Sequence, residues 1–377
     1  MQKIDNPKNN YKNVAHAFFL SLAITIAEPS TILPLIVEHF SESMVIVGLF
    51  VSLLRGGSIV IQLYVAFHAQ AYRRVLPYLS KVFFFRWFAW LSIGLSIYFK
   101  ELQAKIFSKK YRGKTMANRQ VAGSIASIIS GGVAGYVLSH YEAPLNYAYL
   151  FMVSSFIMGI GFLLFSTIDE PAKEHIQAKE KHFGLFLKNA LATLKSDKRL
   201  QRQIVVIFLS FSYYLSMPFV ILHANSSFVL SGWMLGGFIM VQMLGSIIGS
   251  SLLWRRISNY EKMLTLSFIF MILAFVLALF ANSIWLYGVI FFLFGMGLDG
   301  LSISGMNLVI EIAPEEKRPI YTALQTNITS LGLFFPVLGG LILKYSASYA
   351  IVYGLTIALL TLGFILSLSL KGAAYED

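Results

Sequence analysis

Four ionisable side chains lie deep within runs of about twenty apolar residues: Glu28, Arg55, Arg86 and Asp299. A charge inside such a run is costly enough to be a functional candidate by default. Glu28 lies about 14 residues into Val14–His39, and Arg55 about 11 residues into Met44–His68. The two runs point opposite ways, so at roughly 1.5 Å per residue both charges fall near mid-depth. A Glu28–Arg55 pair would serve either as a protonation-linked switch or as a static tie between helices. Asp299, in FGMGLDGLSISGMN, is flanked by Gly295, Gly297 and Gly300, which favour close helix approach. It reads as a proton-coupling acid or as a capped Asp at a gating kink. Arg86 would bind an anionic group or snorkel, and Arg119, near the start of its run, is expected to snorkel to the basic face. Gln242, Asn307, Gln325 and Asn327 are neutral polar groups that either line a cavity or bond helix to helix.

Other chemistries are excluded. With no cysteine, disulfides, thiolate metal sites and cysteine nucleophiles are ruled out. The histidines show no metal-ligand spacing; His16, His39, His68, His140 and His223 fall near run ends and read as interfacial. Ser, His and Asp form no nucleophilic pattern, and no Gly-Lys-Ser/Thr phosphate loop supports ATP-driven work. No enzyme activity, metal or cofactor is expected.

The elements that must position these groups follow from composition. Of 377 residues, 57% are hydrophobic and 13% charged, about half the charge of an ordinary soluble chain. The apolar surface must therefore face lipid. Net charge is +12, but the cations cluster in short turns, a mark of topology and not of nucleic-acid binding. Apolar runs long enough to cross a bilayer are Val14–His39, Met44–His68, Leu76–Phe99, Thr115–His140, Leu145–Ile168, Gln203–His223, Phe228–Trp254, Met263–Ala281, Ile284–Ala313, Ile320–Leu343 and Ser348–Leu370. Backbone groups in lipid must bond internally, so these eleven spans read as helices. The polar N-terminus is expected in the cytoplasm, with the first span retained. The polar stretch Asp169–Arg202 holds eight Lys or Arg residues. Within it Phe183, Phe186, Leu187, Leu191 and Leu194 recur at helical spacing, so an amphipathic helix on the membrane surface is expected.

Basic turns alternate cleanly with uncharged ones except once. Arg73-Arg74 and the cationic stretch Lys100–Lys114 want the same side, yet only 25 residues, Val75 to Phe99, lie between them. That length supplies one crossing, not two. An internal repeat points the same way. Arg73-Arg74 match Arg255-Arg256 at an offset of 182, while Leu102, Ile106 and Arg112 match Leu308, Ile312 and Arg318 at 206. The offset jumps by 24, about one span. The expected division is an N-terminal bundle over 1–168 short by one span, a cytoplasmic linker over 169–202, and a six-helix bundle over 203–377.

Two homologous halves joined by a long basic loop resemble the major facilitator superfamily of secondary transporters, whose halves are parallel repeats about an axis along the membrane normal. The signatures here are Arg73-Arg74 in AYRRVLP, Arg255-Arg256 in SLLWRRISNYEK, and the glycine pairs Gly131-Gly132 and Gly339-Gly340. The resemblance implies an all-α membrane protein of two bundles, with about 11 spans (five and six) in place of twelve. It implies a monomer in the inner (plasma) membrane that moves a small solute, coupled to H+ or Na+. Arg73, Arg74, Arg112, Arg255, Arg256 and Arg318 would mark conformational-gate turns. The short half implies, as the alternative, a transport-impaired protein with a binding or sensing role.

Overall fold

The computed structural model describes residues 5–26, 32–41, 43–56, 64, 67–68, 72–89, 95–107, 109–172, 182–254, 256–257, 259–314 and 317–370. The first half comprises α1 (Pro7–Ile26), α2 (Ile32–Phe40), α3 (Met44–Gly56), α4 (Leu76–Ala89), α5 (Leu95–Ile106), α6 (Lys109–His140) and α7 (Leu145–Ser166). The linker helix is α8 (Phe183–Ser196). The second half follows with α9 (Lys198–Ser210), α10 (Met217–Phe228), α11 (Gly232–Ile248), α12 (Tyr260–Leu279), α13 (Ile284–Ile312), α14 (Arg318–Ser330), α15 (Phe335–Ser346) and α16 (Tyr349–Ser367). Among the described residues all regular structure is helical, and eight helical stretches are long and apolar enough to cross a membrane. The remaining expected spans fall on shorter pieces, with residues between them outside the described set.

Side chains left outside the bundles are apolar and recur at helical spacing. Met152, Phe156 and Leu163 on α7, and Ile351, Leu355, Leu362 and Ile365 on α16, are all exposed. Such stripes suit lipid, which removes no energy by covering them. Helix starts in the second half follow their caps. Asp197 accepts from the amides of Arg199 and Leu200, Asn259 from Glu261 and Lys262, Ser231 from Met234, and Ser283 from Leu286. Each cap satisfies amides that the first helical turn leaves without partners.

Among the described residues the halves meet chiefly along two seams: α6 on α11, and α3 on α15. By the repeat register, α3 corresponds to α11, and α6 to the stretch holding α14 and α15. Applying the repeat therefore exchanges one seam for the other, as a two-fold along the membrane normal requires. Small residues set the spacing. A Cβ on Gly236 would stand 2.5 Å from the Gly131 carbonyl oxygen and 2.8 Å from Gly135 Cα, so neither backbone could approach as it does.

The third expected span is corrected. Leu76–Phe99 does not form one crossing: α4 and α5 pack on each other and return to the face they left. Lys105 Nζ donates to the Arg73 carbonyl at 3.0 Å and pairs with Glu170 Oε1 at 2.6 Å. The two basic corners thus share one face, as their charge demands, but a folded-back hairpin brings them there. Glu170 also accepts from the Val75 and Leu76 amides at 2.8 and 2.7 Å, capping α4. Asn9 and Asp169 exchange amide bonds at 2.8 and 3.0 Å, bringing the start of α1 to this face. The Lys100–Lys114 stretch is itself largely helical, divided between the end of α5 and the start of α6.

The linker helix forms at Phe183–Ser196, where periodicity places it, but its buried face is Phe186 and Ala190. Phe186 packs with Phe67 and Ala323, and Ala190 with Leu200, Ile204 and Tyr321. This face lies on protein and not on a membrane surface, while Leu191 stays exposed.

Candidate functional site

A cavity of about 190 Å³ lies between the halves, lined from α1, α6, α11 and α13. Close approach of α11 and α13 builds one wall. A Cβ on Gly295 would overlap the Gln242 carbonyl oxygen, and one on Gly245 the Phe292 carbonyl oxygen. This contact carries Asp299 to α11, where Ser246 Oγ donates to Oδ2 at 2.5 Å and Ser250 Oγ at 2.7 Å. Ser250 lies in a π-helical turn, Gly249–Trp254, fastened to α13 by the Trp254 indole donating to the Met296 carbonyl at 3.2 Å. From the other bundle Gln120 Nε2 reaches the same Oδ2 at 3.0 Å. All three donors converge on one oxygen, and Oδ1 takes no protein donor among the described residues. One turn before Ser246, Gln242 is 3% exposed and its Oε1 has no hydrogen-bond partner among the described residues. A buried acceptor left so costs about 1–3 kcal/mol unless a ligand or water meets it.

The opposite wall carries Arg119. Its Nη1 donates to the Asn13 backbone carbonyl, to Asn13 Oδ1 at 2.6 Å, and lies 3.3 Å from His16 Nδ1. Its guanidinium stands 4.9 Å from the centre of the Phe99 ring, a cation–π distance. Asn13 is fixed in turn by Gln103 of α5 through two amide bonds of 3.1 and 2.8 Å. His16 is enclosed by Phe83, Phe99, Phe162 and Phe165. Among the described residues no carboxylate lies within ion-pair distance of Arg119. The expectation that it snorkels is therefore corrected, and so is the interfacial placement of His16, which is 2% exposed.

Of the expected site residues, the structure brings Asp299 and Gln242 together. Gln325 instead joins helices, accepting from Gln203 at 2.9 Å and donating to the Gly305 carbonyl at 2.7 Å. Asn307 and Asn327 donate to carbonyls four residues back on their own helices. Arg86 lies apart from the cavity, 6.0 Å from the Phe162 ring centre. Glu28 and Arg255 lie outside the described residues, as do the side chains of Arg55, Arg112 and Arg318, so the Glu28–Arg55 pair does too. Arg73, Arg74 and Arg256 are exposed. Gln120, Ser246 and Ser250 were missed. The i, i+4, i+8 polar stripe Gln242–Ser246–Ser250 on an otherwise apolar helix was the available signal.

The arrangement holds a buried carboxyl group and a buried guanidinium on facing walls, each bonded, among the described residues, by neutral partners. It offers a proton-accepting oxygen and a solute-sized space. Among the described residues no cluster could hold a metal ion.

Three solved structures share the fold. The human organic anion transporter MFSD10 (TETRAN) superposes with a TM-score of 0.67 at 16% identity, covering 96% of this chain and 100% of its own. The nucleoside transporter NupG gives 0.64 at 14%, covering 96% and 100%. A bacterial homolog of the human lysosomal transporter Spinster, inward-facing and unoccupied, gives 0.60 at 14%, covering 99% and 100%. No curated protein sequence matches the chain. The sequence profile of the Major Facilitator Superfamily matches residues 102–335 and again 203–374, two overlapping placements of the kind an internal duplication produces. With its repeat-related seams and inter-bundle cavity, the chain belongs to the major facilitator superfamily.

Proposed function

We propose that this protein is a secondary active transporter that moves a small solute by alternating access, its two bundles rocking about the central cavity. It acts as a monomer in the inner membrane with its N-terminus in the cytoplasm, driven by protons, with Na+ as the other candidate ion. The observation that carries this reading is Asp299: a buried carboxylate in a cavity walled by both bundles, one oxygen held by three donors and the other open. Protonation there removes a buried charge and changes what holds the bundles together, since Gln120 reaches Asp299 across the seam. Glu28 remains a second candidate for the coupling acid. A transport-impaired protein finds no support in the shortened half. Among the described residues, none from 76–106 lines the cavity, and α5 still braces Arg119 through Gln103 and Asn13.

The test is solute-driven proton movement in proteoliposomes, read with an enclosed pH dye against pooled small metabolites. Wild-type protein should move protons with at least one pool, and Asp299→Asn should lower that rate at least tenfold. An unchanged rate in Asp299→Asn would remove this residue from coupling.

A further inference from the structure

We infer that the solute is a small zwitterion of amino-acid size, its anionic group at Arg119 and its cationic, hydrogen-donating group between Asp299 Oδ1 and Gln242 Oε1. This deepens the transporter reading and rests on it. Three independent features point to the same charge pattern. Arg119 carries its charge into the cavity wall, where among the described residues the Asn13 oxygens, the His16 ring and the Phe99 face meet it. A guanidinium has five N–H donors, and only its two terminal nitrogens are engaged, so capacity remains for an anionic oxygen. Across the cavity, Asp299 leaves Oδ1 open while every protein donor crowds onto Oδ2. Gln242, which lines the same cavity, holds in Oε1 a second acceptor, buried and without a partner among the described residues. Two acceptors, one of them anionic, call for a group that donates more than once and carries positive charge, as an ammonium does.

Size agrees. With about 30 Å³ per liquid water, 190 Å³ holds some six waters or one solute the size of a small amino acid. A simple anion would satisfy Arg119 and leave Asp299 repelling it; a simple amine would do the reverse. One molecule bearing both charges neutralises both buried groups at once, and a buried charge is tolerated when it is paired and hydrogen-bonded. The charges sit on different bundles, α6 and α13, so such a solute would also bridge the halves.

The experiment measures binding, by thermal shift and calorimetry on the detergent-purified full chain. The probes are glycine, alanine, serine, valine and leucine, each beside the amine lacking its carboxylate and the acid lacking its ammonium. At least one zwitterion is expected to bind at least tenfold more tightly than both of its single-charge counterparts. Gln242→Met should cut that affinity about tenfold with no loss of thermal stability, because it removes an acceptor that has no protein partner. Arg119→Gln should abolish the preference for the zwitterion over the amine. Equal binding of a zwitterion and one counterpart, no binding by any zwitterion, or an unchanged Gln242→Met would each overturn the assignment. Proton movement with some other class of solute would then leave transport standing without it. Conversely, zwitterion binding without proton movement would sink coupled transport but not this site.

Discussion

A carboxylate that takes several donors on a single oxygen is fixed in direction, and two such groups here serve different ends. Asp299 turns its open oxygen toward a cavity. Asp197 turns both oxygens to protein: Oδ1 caps α9 and Oδ2 receives the Tyr321 hydroxyl at 2.7 Å. Burial alone would raise the Asp197 carboxyl. The Tyr321 hydroxyl, the Leu200 and Arg199 amides and the Arg199 charge outweigh it and hold the group below the usual carboxylate range. A depressed folded pKa means the stabilisation is complete above the unfolded value, near pH 4, and is lost as pH falls through the folded one. Asp197→Ala should therefore lower stability by about 1 kcal/mol at neutral pH. The gap to wild type should narrow below roughly pH 4, as read by thermal melts across pH. Asp299 was legible because charge in an apolar run is conspicuous. The setting of Arg119 was not. Helix α1 begins at Pro7, seven residues before the apolar run does, so polar Asn13 lies beside Arg119 and supplies acceptors that hydropathy does not register. Gln120 was hidden for a related reason: which way a side chain points depends on the helix packed against it.

Helices α4 and α5 reach their place by contacts that span-counting omits. At 14 and 12 residues they rise about 21 and 18 Å. Their apolar sides rest on α7, where Phe83 stacks on Phe162 at 4.4 Å, and Leu102 and Ile106 join the same core. The basic charge of both turns asked for one shared face, while counting crossings left room for a single span between them; Lys105 bonded to the Arg73 carbonyl agrees with the charge and not with the count. Hydropathy could not distinguish one long helix from two short ones because it records apolar length alone. The hairpin is fastened by Glu170, which faces Lys105 and two amides with its side chain 1% exposed. Removing one member of a buried pair strands the other. Glu170→Ala should cost about 3 kcal/mol, and Glu170→Gln less, since an amide oxygen still caps α4. Thermal melts of both variants, with cysteine labelling at position 78 as a report on hairpin release, check this. The linker helix shows the same limit. Its period was legible, but whether the apolar face met lipid or protein depended on Phe67 and Ala323, distant in sequence.

At the scale of the whole molecule, rocking needs seams that close tightly and part cleanly. The α6–α11 seam does so through Gly131, Gly135 and Gly236, where backbone meets backbone. Gly236→Val should hold it apart. A cysteine placed at Ser127 should then react several-fold faster with an impermeant maleimide, and solute-driven proton movement should fall at least tenfold, while detergent melts report a folded protein. The two-bundle plan was legible from the internal repeat, because duplication preserves spacing even where motifs decay; the pairing of seams was not, because it depends on the dyad that relates the halves. That dyad also decides how the cavity grips. Arg119 belongs to one half, Asp299 and Gln242 to the other. Under the assignment above, a guest touching all three is held through two of its own groups, its anion by one half and its cation by the other. It would therefore be gripped at both ends only while the halves are together.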